Sequence, residues 1–116
     1  MATFRSNGYG PSILQTDLGY CFHCGRSDRK LDRHEVWGGA NRSKSKKYGL
    51  WVMLCHEDCH EGKNGVHQNA AMRQALREYA QKIAMEEFDW TVEDFREVFG
   101  KNYLEMSELE GVDHNG

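Results

Sequence analysis

Two segments decide how this chain folds: Tyr20-Cys21-Phe22-His23-Cys24-Gly25 and Leu54-Cys55-His56-Glu57-Asp58-Cys59-His60. Two residues separate the cysteines of the first pair, three separate those of the second, and thirty lie between Cys24 and Cys55. Each pair can turn two sulfurs toward one point, and Gly25 permits the tight turn that aims backbone amides at thiolate sulfur. The spacing is therefore that of a tetrahedral four-cysteine zinc site. Iron also accepts four thiolates, but no third clustered cysteine is present. Four thiolates at Cys21, Cys24, Cys55 and Cys59 close the coordination sphere, so this ion is expected to be structural. His23 and His56, inside the two spacers, are alternative ligands.

The composition explains why a staple is needed. The chain has 116 residues, 39% hydrophobic and 28% charged, with a mean hydropathy of -0.80. That is one compact domain with a thin apolar core, too small for a large-cofactor enzyme. The start of the chain has no apolar signal-like run, and Leu50–Cys55 is too short to span a bilayer. A cytoplasmic protein is expected, neither secreted nor membrane-bound. In a reducing compartment closely spaced cysteines are metal ligands rather than disulfides.

Working outward from the cysteines, Leu31–Trp37 and the bulky run Leu50–Leu54 read as two strands of a β-hairpin. The polar, basic stretch Gly38–Tyr48 reads as the loop that joins them. From Val66 the period becomes helical: Met72, Leu76, Tyr79, Ala80, Ile83 and Phe88 form one apolar face of a helix of about five turns, opened by His67. Thr91 and Asp94 resemble a capping box for a short amphipathic helix stopped by Gly100. The expected fold class is α+β, a small zinc-stapled hairpin followed by helices. Residues 1–18 are expected as a flexible arm or loosely docked strand, 19–104 as the folded body, and 105–116 as an acidic tail.

Charge is segregated. The net charge is -3, yet Arg26, Arg29, Lys30, Arg33, Arg42, Lys44, Lys46 and Lys47 face only three acids between positions 26 and 47. This basic run lies between the cysteine pairs, so a phosphate backbone is a suitable partner, with Arg42, Lys44, Lys46 and Lys47 as contacts. Six histidines exceed what the staple uses. His34 on the first strand, His60 after the last cysteine and His67 near the long helix converge where zinc fastens the chain. Neutral imidazoles are common ligands for a divalent ion that keeps open positions.

The segments Arg33-His34-Glu35-Val36-Trp37-Gly38-Gly39, Asn41-Arg42, Lys47-Tyr48-Gly49-Leu50, Leu54-Cys55 to Cys59-His60, Gly65-Val66-His67-Gln68-Asn69 and Phe99 to Leu104 together resemble the zinc-bearing HNH endonucleases, in particular small phage-type members. The likeness runs from about Tyr20 to Leu104. It implies a ββα-metal finger with a treble-clef-like core and a catalytic divalent ion, magnesium or manganese, with nickel or zinc as alternatives. It also implies that His34, His60 and His67 hold that ion and that Asn69 positions the loop or a metal-bound water. The expected partner is DNA, contacted through its backbone with low intrinsic sequence specificity, with a recombinase or other DNA-bound protein as a further partner by analogy with recombination-associated phage nucleases; the cytoplasm would be that of a bacterial host.

The chain departs from the pattern at Glu35, which stands where the family has the histidine that activates water. A free carboxyl titrates about two units below imidazole. Either Glu35 acts as base with a pKa raised by burial, or Glu35 binds the metal and His34 takes the proton. Two functions follow: metal-dependent hydrolysis of nucleic-acid phosphodiesters, as a DNA endonuclease or nickase, or a catalytically inactive zinc-stapled module that binds nucleic acid or protein.

Overall fold

The computed structural model describes residues 9–63 and 65–104, so the tail expected over 105–116 lies outside the described residues. β1 (Leu31–Glu35) and β2 (Trp51–Cys55) pair antiparallel, with Asp32 opposite Leu54 and His34 opposite Val52. Strand alternation puts Asp32 and His34 on one face of β1 and Arg33 and Glu35 on the other. Trp51, Val52, Leu54 and Cys55 are all buried, so β2 is covered on both faces. Its bulky and β-branched side chains suit such a position.

The connection between the strands is not the loop its lysines, serines and glycines suggest. A 3-10 turn (Gly39–Asn41) leads into α1 (Arg42–Tyr48). Arg and Lys are good helix formers, and no proline or glycine interrupts them before Gly49. Lys46 and Lys47 lie in the last turn, where cations favour the helix dipole. The buried Ser45 hydroxyl accepts from Trp37 N at 3.0 Å and donates to Trp37 O at 2.9 Å, tying α1 to the end of β1. A tertiary contact thus fixes a segment whose own composition is ambiguous.

After β2 one π-helical turn (His56–His60) leads through a tight loop to α2 (Ala70–Phe88). His67 does not open α2 as the period suggested. It sits in the preceding turn, and Asn69 caps the helix by accepting from Met72 N at 3.0 Å. α3 (Val92–Phe99) has the expected reciprocal Thr91–Asp94 capping box and ends at Gly100.

The core centres on Trp37, whose ring lies 4.7 Å from Phe99, 5.2 Å from Tyr103 and 5.5 Å from Phe95. Val52, Leu54, Leu76 and Ala80 belong to the same apolar cluster, which joins hairpin and helices. Burying each large side chain fully is worth roughly 1.5–3 kcal/mol. The fully buried Gln81 donates to Asn102 Oδ1 and accepts from Tyr103 N, each at 2.8 Å, so the chain after α3 is locked onto α2.

Of the expected arm, residues 1–8 lie outside the described residues, and 9–18 are seated on the hairpin. Trp51 Nε1 donates to Gly10 O at 2.9 Å, Met53 N donates to Gln15 Oε1 at 2.8 Å, and Leu14 and Gln15 are buried. No helix among the described residues is long and apolar enough to cross a membrane.

Candidate metal centres

The first centre is built by the turn after Tyr20 and by the end of β2. Cys21, Cys24, Cys55 and Cys59 place their sulfurs within 4.8 Å of one another, and all four are unbridged by disulfides. Cys24 Sγ and Cys55 Sγ are 3.8 Å apart. A tetrahedron with metal–sulfur bonds of about 2.3 Å has edges of about 3.8 Å, so this edge is compatible with a zinc site. Cys24 N donates to Cys21 Sγ at 3.4 Å, as a thiolate turn requires. Burial pushes the Cys21 thiol up, but amides of Cys24, Cys55 and His23 more than offset it and lower its pKa to about 7. Burial and the neighbouring thiols push Cys59 far up, because crowded sulfurs cannot all ionise without a cation between them. His23 and His56 stand outside this group; His56 pairs with Asp32 instead.

The second centre brings together His34, His60 and His67, each offering a ring nitrogen within 4.8 Å of the others. His34 comes from β1, His60 from the π-helical turn, and His67 from the loop that follows. That loop is held against the turn by Val66 N donating to Cys59 O at 2.8 Å. Gly65 makes the approach possible, since a Cβ there would sit 2.7 Å from Asp58 O and 2.8 Å from Cys59 O. The cysteine site and the histidine site therefore share one backbone: Cys59 belongs to the first and its neighbour His60 to the second.

Nitrogen chemistry favours a cation. His60 Nδ1 lies 2.9 Å from Asp32 Oδ2, which fixes the proton on Nδ1 and leaves the Nε2 lone pair free. His60 Nε2 lies 3.0 Å from His67 Nε2. His34 Nε2 is buried without a hydrogen-bond partner among the described residues. An unpartnered buried polar atom costs about 1–3 kcal/mol, and a metal ion beside it removes that cost. Burial, reinforced by His60, His67 and Arg77, lowers the His34 pKa to about 3, so its imidazole is neutral. Burial acts to raise the Asp32 carboxyl, but His56 and His60 together hold it below the usual carboxylate range.

Around the histidines opens a cleft lined by Glu35, Arg42, Arg73, Arg77, Trp37 and Tyr103, among others. Glu35 lies on the opposite face of β1 from His34 and is outside the three-histidine group. Its Oε2 accepts the Tyr9 hydroxyl, and its Oε1 lies 3.4 Å from Arg42 Nε. Asn69 is also outside the group, with its side-chain oxygen engaged in capping α2. Of the basic residues of α1, Arg42 reaches the cleft and Lys47 is exposed over the Tyr48 ring. Lys44 Nζ donates to Val98 O at the end of α3, and Lys46 Nζ lies 4.8 Å from the Tyr9 ring centre.

Sequence reading missed Asp32, Arg73 and Arg77. Asp32 had a legible signal, because it precedes His34 by two positions on a strand and must share its face. The two arginines read as the solvated face of a helix. Comparison with family models, with curated proteins and with solved structures finds no match to the chain.

Proposed function

We propose that the protein is a metal-dependent phosphodiesterase acting on nucleic acid, an endonuclease or nickase of the HNH type. On this reading the hairpin, the cysteine pairs and α2 make a ββα-metal finger with a treble-clef-like core. Cys21, Cys24, Cys55 and Cys59 hold structural zinc, and His34, His60 and His67 hold a catalytic divalent ion. The observation that carries the proposal is the convergence of His34, His60 and His67 in a cleft lined by arginines, with the buried His34 Nε2 unpartnered among the described residues. The sequence likeness to HNH nucleases supports the same assignment.

A divalent ion held there supplies a Lewis acid for the scissile phosphate and for charge on the leaving oxygen. The chain supplies the rest. Asp32 orients His60, the loop 65–67 delivers His67, and Arg42 offers a guanidinium to phosphate from across the cleft. With His34 given to the metal and Asp32 engaged by His60, Glu35 is the carboxylate of β1 left to accept a proton.

One observation favours the silent binding module. Both oxygens of Glu35 are engaged, by Tyr9 and Arg42, which leaves the carboxylate poorly placed to receive a proton from water. Plasmid nicking with magnesium, manganese, nickel or zinc separates the readings. Cleavage by the wild type that disappears in His34→Ala is expected. Glu35→Ala should lower the rate about 100-fold or more, and Glu35→His should restore or exceed wild-type cleavage at neutral pH. Intact DNA binding with no cleavage under any ion would leave the silent module as the function.

A further inference from the structure

Arg73 and Arg77 are two cations of the cleft that pair with no carboxylate among the described residues. They stand four residues apart near the start of α2, hence on one helix face, and both line the histidine cleft. Arg26, Arg29 and Arg42 each pair with a carboxylate, whereas neither Arg73 nor Arg77 has one among the described residues. Their side-chain hydrogen bonds run only to main-chain carbonyls: Arg73 Nη1 to Val66 O at 3.1 Å and His67 O at 3.2 Å, and Arg77 Nε to Val36 O at 3.4 Å. Among the described residues, most of their N–H groups therefore meet no protein acceptor.

Like charges four apart on a helix repel, and burial adds to the cost. Arg77 is half-buried beneath the Tyr103 ring; burial first and Arg73 as well push its guanidinium pKa down. Arg77 lines the same cleft as His34, His60 and His67, which places it beside the candidate metal centre. Two planar forks on one helix face, with no carboxylate ion-paired to either among the described residues, make a site for an oxyanion.

We infer that Arg73 and Arg77 form the phosphate clamp of the cleft, gripping the phosphodiester backbone of a nucleic-acid strand beside His34, His60 and His67. The inference rests on the reading that the cleft binds nucleic acid, but not on cleavage. It moves the main backbone contact from α1 to α2. Lys44 and Lys46, which the sequence nominates, are turned to Val98 O and to Tyr9, whereas the two arginines line the cleft that holds the three histidines.

The test reads binding. The full chain, with its cysteine site metal-loaded and no other divalent ion added, is titrated into a short fluorescein-labelled single-stranded oligonucleotide at several salt concentrations, with inorganic phosphate as competitor. Each lost phosphate contact should reduce the slope of log K against log salt by about 0.7. Arg77→Gln should show that reduction and weaker phosphate competition, and Arg77→Lys should retain the slope. Glutamine keeps an N–H donor for Val36 O, so a purely structural role would leave the slope unmoved. Arg73→Gln should add a similar loss; if that variant does not fold, the Arg77 pair decides alone. An unchanged slope in Arg77→Gln, or wild-type binding that is insensitive to salt, overturns the clamp. A clamp that behaves as expected in a protein that cuts no DNA would sink the nuclease reading and leave this one standing.

Discussion

A histidine offers one ring nitrogen to a cation most effectively when the other is hydrogen-bonded to a group that fixes its proton. Asp32 does this for His60, and it shares the same oxygen with His56. Replacing Asp32 with asparagine keeps the shape but removes the charge. Asp32→Asn should weaken cobalt(II) binding at the histidine site about 10–100-fold, read from the visible absorption of the ion, with the cysteine site unchanged. Undiminished cobalt affinity would show that Asp32 does not orient His60. His34 makes a second prediction. Its folded pKa is lowered to about 3 from the ordinary 6.5 of a histidine, so the unfolded chain binds the extra proton first as pH falls. Without divalent ion at the histidines, its contribution is neutral above about pH 6.5 and becomes destabilising from there down toward pH 3, at up to about 1.4 kcal/mol per pH unit. Urea unfolding of wild type and His34→Leu across that range should give curves that diverge, wild type losing more stability; parallel curves would refute the assignment. At this scale the histidines were legible as a set through their motif, whereas Arg73 and Arg77 were not. A cleft-facing arginine and a solvent-facing one have the same sequence signature.

Elements whose boundaries carry local chemistry were readable. Thr91 and Asp94 announce α3, and the apolar spacing Met72, Leu76, Ala80, Ile83 announces α2. The basic α1 was not readable as a helix, since seven residues have little intrinsic helical stability in isolation. Its helix depends on Ser45 bonding Trp37 and on Gly49, which ends it in the left-handed region at φ 74°. A Cβ on Gly49 would lie 2.1 Å from Pro11 O, where the segment 9–18 crosses the end of α1. Gly49→Ala should therefore cost more than the about 1–3 kcal/mol of backbone strain alone. Gly100→Ala is the control: φ is 85° there, and nothing lies within 4 Å of the added carbon. Equal urea midpoints for the two variants would show that the Pro11 contact does not constrain the fold.

For the whole molecule, the cysteine site joins the turn at Cys21 to the end of β2, and the same backbone carries His60. Structural zinc sites in small domains bind with apparent energies of roughly 10–16 kcal/mol, comparable to the entire stability of a domain, about 5–15 kcal/mol. Removing the metal with a strong chelator, or making Cys55→Ser, should abolish the cooperative thermal transition and the histidine site with it. An unchanged melt would mean that the four cysteines hold no structural ion. The cysteine spacing, strand positions, long helix and capping box are legible from residue order because each rests on a local period or a short-range turn. Side-chain direction and long-range docking are not. Trp51 to Gly10, Met53 to Gln15, Asp32 to His60 and Arg77 to Val36 join residues 28 to 41 positions apart, and no period in the chain marks such pairs. They form only when the hairpin, the turn and α2 pack, and that packing is what turns three histidines and two arginines toward one cleft.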